Sequence, residues 1–335
     1  MQIETIKNAV KEMLQPNLFV KLVTILWDAA MGAAPIQHVL LTGFAGLGKT
    51  RVANICMKLL EVAGFKSHNV SVGVTLSQFK SLMIQNCTSF SNKNVFFLDE
   101  VQVLDKGLKT FLKQLLELGG ERKTLTIHDS KGVEYELELS PSNFMVIMAT
   151  NETLGDGALC GSSGRLTELK LMPYELDERV SIFTNMWAVY MPNEKMPTKE
   201  ATLTYCKNVR PFARAIKKQI QDVRAQFITN ELDIFTVEGA RKALKASGYY
   251  RDGWNTEHIA VLTFLATNAS GRQVQEVAAT PMQGATSKEA KEVLDELRQA
   301  DFVLNTNQSR KAASSAGVAY LQSLTAKKTV AVVTA

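Results

Sequence analysis

"HVLLTGFAGLGKTRVANICMKLLEVAG", residues 38–64, decides the fold. Residues 38–42 are a short apolar run closed by glycine, which reads as a buried strand. Residues 50–64 carry apolar side chains at helical spacing up to a glycine stop. Between them Gly43–Thr50 fits G-x-x-x-x-G-K-[ST], and the strand before and helix after give that pattern its meaning. Gly43, Gly46 and Gly48 let backbone N–H groups curl around a phosphate, and the helix N-terminus adds a favourable dipole. Lys49 is placed to reach the β- and γ-phosphates, Thr50 to ligate Mg²⁺, and Arg51 follows in the first helical turn. The expected ligand is ATP with Mg²⁺.

Working outward, "NVFFLDE" (94–100) reads as a second buried strand ending in two acids. A hydrolytic site needs one carboxylate for the metal shell and another free to polarise water, so Asp99 is assigned to Mg²⁺ and Glu100 to the base. "NFMVIMATN" (143–151) is a third buried strand, whose terminal Asn151 would position the water or the γ-phosphate at the carboxyl ends of the strands. "SSGRLTELKLMPY" (162–174) puts Arg165 after a Gly/Ser-rich loop, where a planar cation could reach a neighbouring subunit's γ-phosphate. Strands alternating with helices such as "LKTFLKQLLELGG" (108–120) predict an α/β fold with a parallel sheet. "KTLTIHDSKGVEYELEL" (123–139) alternates apolar and polar residues around Asp129–Gly132 and reads as a β-hairpin.

The chain of 335 residues is long enough for two or three cores, and its net charge of +5 is a mild basic excess compatible with a polyanion. Cys56, Cys87, Cys160 and Cys206 are far apart and suggest neither a zinc site nor a disulfide framework. The first residues lack a signal-peptide core and no run is long enough to cross a bilayer, so a cytoplasmic protein with no membrane partner is expected.

From Tyr174 the pattern becomes amphipathic helices: 175–190, 198–208 and "RPFARAIKKQIQDVRAQF" (210–227). Beyond Thr236 come three more helical stretches, a short strand, a basic polar loop and a last apolar segment. The expected division is a nucleotide-binding domain over 1–173, a helical lid over 174–235, a third domain over 236–325 and a tail over 326–335.

The order of phosphate loop, Asp-Glu strand, hairpin, strand ending in Asn and then Gly-Arg-Leu resembles the AAA+ ATPases. The stretch 246–324 is similar to the winged-helix domain of the RuvB family, and 210–220 to its sensor-2 helix, where Arg210, Arg214, Lys217 and Lys218 fall at the family's spacing. The resemblance covers roughly residues 17–325. It implies a P-loop AAA+ ATPase with a lid and a C-terminal winged helix, assembling as a homo-oligomeric ring, a hexamer, and moving double-stranded DNA at a Holliday junction. It also implies that hairpin 123–139 engages a RuvA-like junction-binding protein.

Arg210, next to Pro211, is taken as the sensor-2 contact to the γ-phosphate, and Arg310 and Lys311 as wing contacts to DNA phosphates. Two features depart from the family. No Arg-Pro and Tyr-Val-Gly-Gln type opening precedes Leu18, which leaves the adenine contacts unassigned. Cys160–Ser163 stands where a second arginine is usual. A helicase-loader or clamp-loader-like remodeller and an ATP-gated DNA-binding regulator are the alternative readings.

Overall fold

The computed structural model describes residues 3–32, 35–116, 122–140, 142–151, 166–249, 253–268, 270–283, 285–300, 302–306 and 310–333. The chain divides into two compact units, one of residues 1–178 with Phe212–Arg214, the other of Arg179–Pro211 with residues 215–335.

In the first unit, helices α1 (Ile3–Lys11) and α2 (Phe19–Met31) precede strand β1 (His38–Thr42) and helix α3 (Lys49–Val62). Strand β2 (Lys66–Val70), helix α4 (Leu76–Asn86), strand β3 (Asn94–Leu98) and helix α5 (Lys106–Leu116) follow. After them come β4 (Lys123–His128), β5 (Glu134–Leu139), β6 (Phe144–Thr150) and β7 (Leu166–Lys170). The central sheet has the order β2-β3-β6-β1-β7, and every pairing in it is parallel. β1, β3 and β6 are buried along their whole length, as strands covered on both faces must be. Side chains alternate between the two faces, so Leu40, Phe96, Leu98, Val146 and Met148 share one. There they pack with Phe79 of α4 and Phe111 and Leu112 of α5.

The hairpin β4–β5 is a separate two-stranded sheet, not an extension of the central one. Its register pairs Leu125 with Leu137 and Ile127 with Tyr135, which puts the apolar residues on one face. Ile127, Leu137 and Leu139 from that face join the core with Phe79 and Phe111. Glu138 fixes its base, accepting from the Phe90 amide at 2.8 Å while its own amide donates to the Cys87 carbonyl at 2.8 Å.

Sequence reading overlooked α1, β2 and α4. β2 is "KSHNV", an edge strand paired only with β3, so it has no need of a continuous apolar run. α4 buries just Phe79, Met83 and Asn86 and is announced instead by a capping box from Thr75 and Gln78.

The second unit holds α6 (Leu176–Tyr190, whose first residues lie in the first unit), α7 (Lys199–Lys207), α8 (Ala213–Asn230, entering from the first unit) and α9 (Val237–Ala246). α9 packs on α7, and the link before it is held where Tyr205 donates to the Ile234 carbonyl at 2.9 Å. A separate core of Trp254, Val261, Leu262, Leu265, Val277, Leu294, Leu297 and Val303 knits together α10 (Thr256–Ala266), α11 (Val274–Ala279), α12 (Ser287–Gln299) and the strand β8 (Val303–Asn305). β9 (Lys311–Ala313) pairs antiparallel with β8, and α13 (Ser315–Val333) closes the chain. Three helices and a two-stranded antiparallel sheet are consistent with the winged helix expected here. α13 runs to Val333, into the stretch expected as a tail.

Among the described residues, no helix is long and apolar enough to cross a membrane.

Candidate active site

Gly43, Gly46 and Gly48 all have positive φ, at 138°, 86° and 86°. Each is also crowded on the side where a Cβ would stand: 2.9 Å from the Leu171 carbonyl at Gly43, 2.9 Å from Arg214 Cβ at Gly46, and 3.0 Å from the Tyr174 hydroxyl at Gly48. Any other residue would be strained and would collide. The loop's carbonyls are engaged from within. Lys49 Nζ donates to Gly43 at 2.7 Å and Phe44 at 2.8 Å, the Ala213 amide to Gly46 at 3.0 Å, Tyr174 Oη to Leu47 at 2.7 Å, and the Val52 amide to Gly48 at 2.9 Å.

Lys49 opens α3 and is 7% exposed. Its third bond, at 2.6 Å, goes to Asn151 Oδ1. All three acceptors are neutral. Burial pulls its pKa from 10.5 down to about 8; Asp99 and Glu100 oppose the shift and Arg214 adds to it. Next to it, Thr50 Oγ1 donates to Asp99 Oδ2 at 2.7 Å, and the other oxygen of Asp99 accepts from the Glu100 amide at 2.9 Å. The hydroxyl and carboxylate expected to share a metal thus stand in contact. The glycine cradle and the uncompensated buried cation fit a phosphate chain, and the Thr50–Asp99 oxygens fit a hard divalent cation.

Glu100 has φ 51°, a left-handed conformation uncommon for this residue and concentrated at functional sites. It leads into a short 3-10 turn, Val101–Val103, whose Gln102 accepts from the Thr150 hydroxyl at 2.9 Å at the end of β6. β3, β6 and the phosphate loop are therefore held together at their carboxyl ends, with Thr42 and Thr150 in register across β1 and β6.

Arg210 lies in the second unit, where its guanidinium is paired with Glu296 and lies 5.5 Å over the Trp254 ring. The residue beside the phosphate loop is Arg214, whose Cβ backs Gly46 and whose charge bears on Lys49. Pro211 suggested that α8 begins there, whereas it begins at Ala213, which puts Arg214 in its first turn. Arg51 is exposed on the first turn of α3. Arg165 lies outside the described residues. Tyr174, which bonds the Leu47 carbonyl, and Gln102, which accepts from the Thr150 hydroxyl, carried no motif that could have marked them.

In the winged helix, Arg272 and Lys311 exchange backbone hydrogen bonds at 2.8 Å, which adds Arg272 to the wing beside Arg310. The Lys311 ammonium is bonded to Asn305; burial and the charges of Arg298 and Lys291 lower its pKa, with Asp295 opposing. Basic residues of α12 thus face the wing. Much of the acidity of α12 is engaged locally: Glu289 caps the helix at Thr286, Asp295 pairs with Arg298 at 3.4 Å, and Glu296 pairs with Arg210. The outward face of the hairpin is acidic, with Glu134 and Glu136 opposite His128 and Thr126, so it is a poor surface for DNA.

Residues 8–156 match the family model of the Holliday junction DNA helicase RuvB P-loop domain. The RuvB subunit of the Holliday junction branch migration complex from Bifidobacterium adolescentis is 25% identical over 306 residues, covering 90% of this chain and 80% of that protein. Its counterpart from Kosmotoga olearia is 26% identical over 287 residues, 84% of this chain and 79% of that one. Among solved structures, the Thermotoga maritima RuvB branch migration motor aligns over 92% of this chain and 94% of its own at 21% identity, with a TM-score of 0.65. A phosphate loop joined to the ends of β3 and β6, together with these matches, gives the chain a parallel-sheet α/β P-loop domain similar to that of RuvB.

Proposed function

We propose that this protein is an ATP-driven motor on double-stranded DNA that promotes branch migration of Holliday junctions, as the names of its relatives describe for them. The observation that carries the reading is the convergence, at the carboxyl ends of the interior strands, of Lys49 on Asn151 and of Thr50 on Asp99. Lys49 holds the β- and γ-phosphates of ATP, and Thr50 and Asp99 hold Mg²⁺, which supplies charge neutralisation across those phosphates. Glu100 accepts a proton from the attacking water, while Asn151 orients that water and the γ-phosphate. Arg214 takes the sensor-2 role expected of Arg210, because it stands beside Gly46. Arg165 serves the neighbouring subunit's site in a ring, for which a hexamer is the reading. Arg310 and Lys311, joined by Arg272, bind duplex phosphates without reading sequence.

The acidic outer face of hairpin 123–139 favours a protein over DNA as its partner, in keeping with a RuvA-like junction-binding protein. A cytoplasmic location fits this work. The test is ATP hydrolysis and migration of a synthetic four-way junction, with nucleotide binding measured alongside. Glu100→Gln is expected to keep ATP binding and to lower turnover by about 10²- to 10⁴-fold, the usual contribution of a general base. Equal turnover in Glu100→Gln and wild type would remove Glu100 from its role; turnover without junction migration would favour a remodeller or loader.

A further inference from the structure

Arg210 is gripped from several sides. A Cβ at Gly253, where φ is 79°, would lie 2.4 Å from the Arg210 amide nitrogen, so backbone meets backbone there. On the side chain, Trp254 covers the guanidinium and Glu296 neutralises it. Glu296 is in turn held by His258, whose Nε2 donates to the same carboxylate at 2.6 Å, and His258 is packed 5.1 Å from Trp254. Residues of α10, α12 and the segment before α8 thus share one buried charged cluster. Charged clusters of this kind are often no more stable than apolar replacements of equal volume, so stability alone does not account for one here.

What distinguishes Arg210 is its covalent neighbour. Four residues on is Arg214, backing Gly46 of the phosphate loop, and the Ala213 amide donates to the Gly46 carbonyl at 3.0 Å. An extended chain of four residues spans at most about 14 Å. Pro211 fixes one of the soft torsions along it, and Phe212 is set edge-on to Phe44 of the loop at 6.3 Å. A phosphate chain drawing Lys49 and Arg214 together would pull on a short, stiff strap whose far end cannot slide.

We propose that the Arg210–Glu296–His258 cluster is the anchor through which nucleotide occupancy at the phosphate loop is passed to α12 and the wing. The proposal rests on the reading of the site as an ATP site and of the winged helix as a DNA site. Arg210 and Glu296 are positioning residues in it: they touch neither nucleotide nor DNA.

The experiment compares duplex affinity in the presence of Mg²⁺ with ATPγS and with ADP, using a fluorescein-labelled duplex. For the wild type the ratio is expected within about 5- to 150-fold, the ordinary range of coupling between sites. The variant R210M/H258L/E296L replaces the cluster with apolar side chains; it is expected to melt at or above the wild-type temperature and to bring the ratio to within about twofold of unity, below the ordinary range. A folded variant that keeps the wild-type ratio overturns the anchor, because a merely structural cluster would behave so.

If the variant does not fold, ¹⁹F NMR of the wild type labelled with 5-fluorotryptophan decides. The Trp254 resonance, assigned through W254F, should move on addition of ATPγS and stay still in K49A. An unmoved resonance at saturating nucleotide overturns the proposal. A wild type that binds nucleotide and duplex with a ratio of unity overturns the anchor and leaves the functional reading standing, whereas a wild type that binds neither removes both.

Discussion

Two cations are buried in this protein to nearly the same degree, Lys49 at 7% exposure and Arg210 at 9%, and their surroundings are opposite. Lys49 is held by two carbonyls and an amide oxygen, all neutral. Arg210 is held by the carboxylate of Glu296 under the face of Trp254. A desolvated charge with only neutral partners is costly, and an arriving anion relieves it; a charge with its counterion beside it has no such need. The contrast separates a binding group from a structural one where burial alone cannot.

Substitution of Lys49 gives the largest effect. Lys49→Met removes two or more charge-assisted bonds to phosphate, worth about 1.5–3 kcal/mol each, so ATP affinity by calorimetry should fall by more than about 100-fold. The nucleotide-free protein should be no less stable and melt at a higher temperature, since a cation with its pKa lowered to about 8 burdens the folded state. A lower melting temperature would mean that the neutral acceptors suffice for Lys49 and would break the comparison.

Arg210→Met should do the reverse. It strands Glu296 and destabilises the fold by about 3 kcal/mol, the low end for a broken buried pair, because the Glu296 side chain keeps 30% exposure. Intrinsic ATP affinity should stay within about twofold of wild type, since about 0.5 kcal/mol is the usual scale of effects away from a site. Denaturant melts and calorimetry read the two quantities separately.

A pH series sharpens the Lys49 side. In the free protein Lys49 gives up its proton near pH 8, and bound phosphate raises that value again. ATP affinity is therefore full below pH 8 and falls by up to about tenfold per pH unit above it, about 1.4 kcal/mol each. Titrations at pH 8.5 (about half a unit above the free value) in buffers of different ionisation heat should show net proton uptake on binding. Proton release, or none, would mean Lys49 is not the titrating group.

The smallest effect belongs to cations of a third kind, those of the wing. Removing Arg310 and Lys311 together should weaken duplex binding alike at all sequences and flatten its log–log salt dependence by about 1.8, at roughly 0.9 per lost phosphate contact. An unchanged slope would place the duplex elsewhere.

The sequence displayed the phosphate loop plainly because its glycines are demanded twice, by torsion and by contact, and such positions leave a pattern. The fully buried strands β1, β3 and β6 showed for a related reason: covering both faces forces an unbroken apolar run. β2 did not show, because an edge strand satisfied by polar neighbours such as Asn94, which binds His68 at 2.9 Å, keeps a polar sequence. Arg214 showed only as one of four basic residues at a family's spacing, because its place behind Gly46 depends on where the helix starts, two residues beyond Pro211. The engagement of Arg210 with Glu296, 86 residues away along the chain, is a tertiary fact with no local signature.

The phosphate loop has a kinetic side as well. Internal donors hold the carbonyls of Gly43, Phe44, Gly46, Leu47 and Gly48, and three neighbouring segments press on its glycines. Little conformational entropy remains to be lost when a nucleotide arrives, because the loop was ordered when the chain folded. The loop itself should therefore need no slow rearrangement during the encounter, and differences among nucleotides should lie in how long each one stays.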